Sequence, residues 1–292
     1  MKLGLQIVRF DWPGSPGTIG EGLARIGRAS EQAGLDSLWV MDHFFQIRGI
    51  GRPDDPMLEA YTTLGYLAAV TQRIHLGVLV SGVVYRHPGV LVKIATTLDV
   101  LSGGRTYFGL GAAWNEHESV ALGIPFPSTR VRFELLEETL QVLHQMWAGD
   151  RRPFHGQHLH LEKPISVPAP LSRPRPKILV GGSGERKTLR LVAQYADACN
   201  LFAGDVNELL RKLDVLRRHC EDVGRPYDEI ERTALDNISI DPSPRSIRRV
   251  IDTCRRVAEA GIQHYIFTLP GPEVIEPLEI LAREVVPAVA AF

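Results

Sequence analysis

The sequence predicts an α/β fold, a (β/α)8 TIM barrel with an insertion after the fourth helix. Eight short β-type runs alternate with helical patterns along the chain, which is typical of a parallel sheet covered by helices. Several of these runs are continuously apolar, as expected for strands that are buried on both faces. The length of 292 residues fits one barrel of about 250 residues with an insertion. We therefore expect residues 1–292 to form a single domain.

The predicted strands are apolar runs bounded by polar or turn-forming residues. They are Leu3–Ile7, Ser37–Met41, Ile74–Val80, Thr106–Gly111, Lys177–Gly181, Ala198–Phe202, Thr233–Ile240 and His264–Thr268. Apolar residues at helical spacing predict the helices between them; Ile19, Leu23 and Ile26, for example, fall on one stripe that ends before Gly34. The predicted helices are Ile19–Gly34, Val90–Leu101, Arg130–Trp147, Glu185–Tyr195, Asp205–Gly224 and Pro242–Gly261. This alternation favours a barrel over an antiparallel sandwich.

The interval between the fourth and fifth predicted strands is much longer than the others. It holds the long fourth helix and a proline-rich segment at about residues 150–176, in which Phe154–Leu161 has the pattern of a small hairpin. Barrel-type strands continue on both sides of this segment. We therefore interpret it as an insertion at the mouth of the barrel and not as a linker between domains.

Composition and charge exclude several classes of protein. Lys and Arg number 33 and Asp and Glu number 34, and no basic stripe marks a nucleic-acid surface. No stretch approaches the roughly 18 apolar residues of a membrane span, and the start lacks a signal-peptide pattern. Cys199, Cys220 and Cys254 are scattered, which indicates buried thiols and not disulfides or zinc ligands. We expect a cytoplasmic protein without a nucleic-acid or membrane partner.

Polar and aromatic residues follow the predicted strands, where the active site of a parallel barrel lies. Asp42 and His43 come after the second strand, and an imidazole suits acid–base chemistry near neutral pH. A capping Asp beside a packed His would give the same pair, so both interpretations stay open. Trp12 and Trp114 follow the first and fourth strands, and we expect them to line the substrate pocket, although each would also fit the core.

A glycine-rich turn, Gly181-Gly182-Ser183-Gly184, joins the fifth strand to a helix. Glycines let backbone N–H groups approach a phosphate, and a helix N-terminus favours negative charge there. Arg186 and Lys187 lie close by in sequence and would assist; a simple tight turn is the alternative. The chain has no Walker A motif, and Gly109–Trp114 lacks the third glycine of the dinucleotide fingerprint.

Metal and nucleophile motifs are weak. His155, His158 and His160 alternate in the insertion, and Glu116-His117-Glu118 follows the fourth strand, but neither group has a dedicated ligand spacing. We interpret them as solvated or supporting polar residues. No G-x-S-x-G nucleophile elbow occurs either. The sequence therefore predicts no metal site.

Six segments, in order along nearly the whole chain, match one known family. They are Leu35–Phe44, Ile74–Gly82, Arg86–Pro88, Gly109–Glu116, Lys177–Gly184 and Tyr195–Ala198. Together they resemble the bacterial luciferase-like monooxygenase superfamily, and within it the oxidoreductases that depend on the deazaflavin coenzyme F420. The resemblance implies the same barrel fold with the same insertion.

The resemblance also implies a deazaflavin site at the barrel mouth. The ring would contact Asp42 and a bulge formed by Leu79, Val80 and Ser81, where the family has a non-prolyl cis peptide; here it would be Leu79–Val80.

Other cofactor contacts implied by the resemblance lie after the fourth and fifth strands. Ala113 and Asn115 match positions near the ring and the coenzyme tail. Gly181, Gly182 and Gly184 match the phosphate-binding turn.

His43 matches the family histidine that acts as acid and base beside the substrate. The implied reaction is hydride transfer between the deazaflavin C5 atom and a small organic substrate. In the sugar-phosphate dehydrogenases of the family a Glu after the fourth strand acts as a second acid. Here Ala112-Ala113-Trp114 stands in a shorter loop and Glu116 is not the same position, which argues against a sugar phosphate.

Two alternatives remain open. A monooxygenase of the same superfamily would place flavin mononucleotide (FMN) in the same barrel and turn. A cofactor- or partner-binding barrel without catalysis is the other, although the retained turn glycines argue against it. Many such barrels are homodimers through outer helices, so the resemblance also implies a dimer.

Overall fold

The computed structural model describes residues 1–271 and 274–292 and shows a closed barrel of parallel strands surrounded by helices. In chain order the strands are β1 (Lys2–Ile7), β2 (Ser37–Val40), β3 (His75–Val78), β4 (Ser81–Gly82), β5 (Thr106–Gly111), β6 (Phe154–His155), β7 (His160–Leu161), β8 (Lys177–Gly181), β9 (Ala198–Phe202), β10 (Glu231–Asn237) and β11 (His264–Thr268). The predicted (β/α)8 barrel is confirmed.

The helices are α1 (Ile19–Gln32), α2 (Ala60–Val70), α3 (Pro88–Leu101), α4 (Glu116–Ala121), α5 (Thr129–Trp147), α6 (Thr188–Tyr195), α7 (Val206–Val223), α8 (Pro244–Glu259), α9 (Ile275–Ile280) and α10 (Val286–Val289). A 3₁₀ turn at Tyr227–Glu229 precedes β10, and a π-helical turn at Leu281–Val285 joins the last two helices. Within the described ranges, no helix has the length and apolar character needed to cross a membrane.

Pairing between β3 and β5 closes the barrel. The strand order is β3-β2-β1-β11-β10-β9-β8-β5, and Leu76 and Gly77 of β3 also pair with Thr106 and Tyr107 of β5. The barrel pairings are parallel, so the carboxyl ends of the strands lie at one end, which we call the mouth.

A bulge interrupts the third barrel strand. β3 ends at Val78 and β4 begins at Ser81, and the Leu79–Val80 peptide between them is cis, as the resemblance implies. Gln6 of β1 donates from Nε2 to the Leu79 carbonyl oxygen over 3.0 Å inside the barrel. The bulge is therefore fixed by a side chain of β1, which lies two strands away in the barrel.

Three glycines make room for this bulge. A Cβ on Gly111 would lie 2.9 Å from Val80 Cγ2, and one on Gly181 would lie 2.8 Å from Val80 Cγ1. A Cβ on Gly109 would lie 2.0 Å from the Val78 carbonyl oxygen. Close-packed interiors do not tolerate such approaches, so β5 and β8 require glycine at these positions. Val80 packs against the interior cluster at the mouth end of the barrel.

Side chains fill the barrel below Val80. The interior cluster consists of Trp39, Leu79, Tyr107, Leu179, Ala198 and Ile266. Beneath it Trp39 Nε1 donates to Ser37 Oγ over 2.6 Å, and Ser37 Oγ lies 2.7 Å from His264 Nε2. At the amino-terminal end Glu231 accepts a hydrogen bond from Lys177 over 2.8 Å. The interior is a packed core, and ligands must bind at the mouth.

Most predicted boundaries lie within two residues of the observed ones, and the exceptions have physical causes. The predicted strand Thr233–Ile240 is displaced along the chain, since the observed strand β10 begins at Glu231. The Glu231 side chain points into the barrel, where it forms an ion pair with a lysine. Helix α6 begins at Thr188 and not at Glu185. The hairpin in the insertion is confirmed, with Phe154 paired to Leu161. The three cysteines are buried and free, as predicted.

Candidate active site

Direct contacts join the loops that follow β2, β4 and β5 at the mouth. Asp42 and His43 follow β2, Tyr85 and Arg86 follow β4, and Glu118 lies on the short helix α4 after β5. Of these five residues, the sequence predicts a site role for Asp42 and His43 only. The structure joins them through two hydrogen-bonded pairs.

The first pair is Asp42 with Arg86. Arg86 Nη1 lies 2.6 Å from Asp42 Oδ2, and Nη2 lies 2.9 Å from Oδ1, which is the fork geometry of a strong ion pair. Arg86 also binds Glu59, and its guanidinium lies 4.9 Å from the centre of the Tyr61 ring. Burial raises the pKa of Asp42, and the hydrogen bonds from Arg86 oppose that change. Asp42 is thus half of a buried ion pair beside the mouth.

The second pair is His43 with Glu118. His43 Nδ1 lies 2.6 Å from Glu118 Oε1, and the Tyr85 hydroxyl donates to the same oxygen. Glu118 Oε2 accepts from the amides of Phe44 and Phe45 over 2.7 and 3.2 Å. Both carboxylate oxygens of this fully buried side chain are therefore satisfied.

These bonds determine the protonation of the pair. Burial raises the pKa of Glu118, but the hydrogen bonds from His43 and Tyr85 lower it further, and the net pKa is below its usual range. An ionised carboxylate only accepts hydrogen bonds, so Nδ1 of His43 must be the protonated nitrogen in the neutral ring. Nε2 is left as the nitrogen that can take up or donate a proton. No side chain in residues 1–271 and 274–292 hydrogen-bonds to it.

The two predicted pocket tryptophans lie in different surroundings. Trp114 is 62% exposed, and its ring centre lies 5.4 Å from that of His43 at an angle of 72°. Trp12 is buried, packs against Phe10 and Gly22, and lines a cavity of about 310 Å³ beside α1. Trp114 is thus beside His43, whereas the ring contact of Trp12 among the described residues is with Phe10.

The loop after β5 turns sharply at Ala113. Its φ is 60°, the single left-handed non-glycine residue in the described part of the chain, a conformation that costs about 1–2 kcal/mol for a residue with a Cβ. Asn115 is half-buried and precedes α4, and its carbonyl accepts from Ser119 Oγ over 3.3 Å. After this turn, Trp114 and Glu118 contact His43 from the same connection.

The glycine turn lies at the mouth after β8. Gly182 has a φ of 112°, and Lys212 of α7 holds the turn by donating to the Ser183 carbonyl over 2.9 Å. The amides of Ser183 and Gly184 donate to no acceptor within the described residues. Gly181 has a separate role, since its missing Cβ accommodates Val80. The turn thus offers unpaired donors of the kind that bind phosphate.

Ser81 faces the helices and not the open mouth. It is fully buried, and its Oγ lies 2.8 Å from the hydroxyl of Tyr61 on α2. Leu79 is buried in the interior cluster, whereas Val80 remains partly exposed. Of the three predicted bulge residues, Val80 therefore has the side chain most open to a ligand.

Four residues of the mouth have no local sequence signal that assigns them a role. The pattern around Glu118 indicates a solvated or supporting residue, and no pattern predicts a role at the site for Tyr85, Arg86 or Phe202. The one signal for Glu118 is its position, because positions 115–118 follow a strand end. Its contact with His43 joins residues 75 positions apart, which no local pattern reveals.

Metal ligands are not clustered in the described ranges: no three His, Cys, Asp or Glu side chains converge. His158 binds Glu134 over 2.8 Å, and His155 and His160 face each other across the insertion hairpin. These histidines therefore have structural partners.

Comparison with known proteins identifies relatives. A family model described as luciferase-like monooxygenase matches residues 3–279. The F420-dependent glucose-6-phosphate dehydrogenase of Nakamurella multipartita is 32% identical over 238 residues, which cover 80% of this chain and 68% of that enzyme. The enzyme of the same name from Kineococcus radiotolerans is 31% identical over 226 residues, covering 76% and 65%. The chain thus spans about two thirds of the length of these relatives.

Solved structures share the fold. An F420-dependent secondary alcohol dehydrogenase, solved with an F420–acetone adduct, superposes with a TM-score of 0.82 at 20% identity, covering 99% of this chain and 98% of that one. The F420-dependent tetrahydromethanopterin reductase of Methanopyrus kandleri gives 0.81 at 16% identity, covering 98% of each chain. The chain belongs to the luciferase-like monooxygenase family, as the sequence resemblance predicts.

Proposed function

We propose that the protein is a coenzyme F420-dependent oxidoreductase of small organic substrates in which His43 is the acid–base residue. The observation that supports this most strongly is the orientation of His43, whose Nδ1 is bound by a buried carboxylate and whose Nε2 is left for a ligand. The relatives described as F420-dependent support the choice of cofactor. When bound, F420 supplies hydride transfer between its C5 atom and a substrate carbon.

The residues at the mouth fit the two parts of a deazaflavin coenzyme. Val80 provides an apolar contact for a flat ring at the mouth end of the packed interior. The open amides of Ser183 and Gly184 provide donors for a phosphate, and Lys187 and Arg186 follow in sequence. Asp42, Ala113 and Asn115 are proposed ring and tail contacts from the family resemblance.

His43 would move the proton that accompanies the hydride. When an alcohol carbon loses a hydride, its oxygen must lose a proton, and the reverse holds for a carbonyl. Nε2 of His43 accepts or donates that proton, while Glu118 stabilises the imidazolium through Nδ1. Trp114 limits the approach of substrate to this nitrogen.

A titration with oxidised F420 and with FMN tests the proposed function. We expect F420 to bind with a Kd of about 10 μM or tighter, measured by quenching of deazaflavin fluorescence. His43→Gln should bind F420 with an affinity within about twofold of wild type, because the imidazole serves the proton and not the coenzyme. Tighter binding of FMN, with dioxygen consumption by its reduced form, would instead support a monooxygenase. Failure to bind either would support a barrel without catalysis.

Replacing Glu118 tests the histidine–carboxylate pair. In Glu118→Gln we expect kcat to fall roughly 10- to 1,000-fold for any substrate that wild type turns over, because the amide does not stabilise an imidazolium. The lowered pKa of Glu118 also adds stability that is complete above the unfolded value of about 4.3 and is lost as pH falls through the folded pKa. The slope of thermal stability between pH 5 and pH 3 should therefore be shallower in the variant.

Glu116→Gln is the matched control. Glu116 lies on the same helix, is exposed and makes no hydrogen bond or ion pair with His43, so kcat and the pH dependence of thermal stability should equal those of wild type. An unchanged kcat in Glu118→Gln, or equal effects of the two variants, would contradict the role of Glu118.

We also propose that the chain forms a homodimer through α2 and α3. Helix α2 contains no Asp, Glu, Lys or Arg, the one acid of α3, Asp99, is buried, and the one cation of α3, Lys93, donates to the Val167 carbonyl of the insertion. Val90 and Leu101 of α3 are nevertheless exposed, beside a groove of about 550 Å³ between the two helices. A helix without charged side chains on its surface is normally buried on every side. A second copy of the chain would bury these exposed apolar faces.

Light scattering after gel filtration tests the dimer. Wild type should have the mass of two chains at about 10 μM, a usual range for stable association. Leu101→Lys should give one chain, because a buried charge opposes the interface. Leu210→Lys, at an exposed apolar position of α7, should remain a dimer. A monomeric wild type, or a dimeric Leu101→Lys, would contradict this interface.

We place the protein in the cytoplasm. Three free, buried cysteines support this location, because oxidising compartments favour disulfides.

A further inference from the structure

We propose that the substrate is uncharged, with an apolar ring or chain bound by Phe202 and Trp114 and a single oxygen function directed to His43. This inference rests on the proposed function and names its substrate class. Phe202 and Trp114 are the large aromatic side chains that the described structure leaves most exposed, at 64% and 62%. Both follow or end strands at the mouth.

The alternation of β9 places Phe202 on the interior side of the barrel. Ala198, four residues earlier, belongs to the interior cluster, whereas Leu201 belongs to the outer core under the helices. The strand partner of Phe202 is Leu235 of β10, which also packs against the interior cluster. Side chains of a strand alternate in direction, so Phe202 projects into the mouth above the packed interior. Its exposure is therefore exposure to the site and not to the outer surface.

Phe202 and Trp114 lie on the same arc of the mouth. β5 and β9 are each paired to β8, so their carboxyl ends are separated by one strand, about 10 Å at the usual spacing. Trp114 contacts His43 with its ring. An apolar body across this arc would cover both exposed rings and keep an oxygen within reach of Nε2.

Two arginines near the mouth are not free to bind an anionic substrate. Arg9 is bound to Asp11, and Arg86 is bound to Asp42 and Glu59. These cations are already neutralised by carboxylates.

The connection after β9 begins with negative charge, whereas a site that binds phosphate is normally positive. It begins Phe202-Ala203-Gly204-Asp205 and contains no Lys or Arg before Arg211. Asp205 caps α7 by accepting from the Asn207 amide over 2.9 Å, which holds a carboxylate at the helix start. A phosphate here would meet an aromatic ring and a fixed negative charge. This observation is independent of the missing acid in the loop after β5, and both disfavour a sugar phosphate.

Calorimetry on the F420-loaded protein tests the inference. The titrants are cyclohexanol, cyclohexanone, 1-phenylethanol and acetophenone as uncharged probes, and glucose 6-phosphate as the anionic probe. At least one uncharged probe should bind, and glucose 6-phosphate should bind at least tenfold more weakly. Phe202→Ser should weaken the uncharged probe at least fivefold and leave the Kd of F420 within twofold. Leu210→Ser, which removes another exposed apolar side chain, from outer helix α7, should change neither.

Each contrary result has a distinct meaning. Tighter binding of glucose 6-phosphate, no binding of any uncharged probe, or an unchanged affinity in Phe202→Ser overturns the inference while F420 binding stands. A large loss of F420 affinity in Phe202→Ser also overturns it, because Phe202 is then a cofactor contact. If wild type fails to bind F420, the proposed function fails first. The probes are then titrated into the unloaded protein against iodide quenching of Trp114, the one exposed tryptophan of the four, and lack of protection overturns the inference.

Discussion

A buried carboxylate organises the mouth of this barrel. Glu118 has no solvent to stabilise its charge, so its four hydrogen bonds must do so. The same bonds tie α4 to the loop after β2 and to Tyr85 after β4. They also set the tautomer of His43. Removing one partner from such a buried group leaves an uncompensated charge, so the geometry of the site and the local stability depend on the same contacts.

The surface formed by Val80 at the base of the mouth is held by side-chain packing and not by charge. Val80 occupies space that Gly111 and Gly181 leave open, and Gln6 holds the neighbouring carbonyl. The glycines of β5 and β8 are therefore needed for a reason unrelated to phosphate binding. The glycines of the turn therefore have two different roles. Gly181 accommodates the bulge, whereas Gly182 and the residues after it form the turn whose backbone amides have no hydrogen-bond acceptor among the described residues.

The sequence predicts the architecture well because each strand and most helices have their own local pattern. It fails where tertiary contacts decide. The start of β10 at Glu231 depends on lysines from β1 and β8, and α2 has no polar face by which to recognise an amphipathic helix. The position of His43 after a strand end identifies it as a candidate. Its pairing with Glu118 and the exposure of the Phe202 ring depend on three-dimensional contacts, which the local sequence does not encode.

A crystal structure of the F420 complex tests most directly whether the coenzyme ring lies between Val80 and His43. We expect the ring against Val80, its C5 atom on the side of His43 Nε2, and a tail phosphate at the amides of Ser183 and Gly184. A ring bound elsewhere, for example in the cavity of about 420 Å³ lined by Lys2 and Glu231 at the opposite end of the barrel, would contradict this placement of the coenzyme.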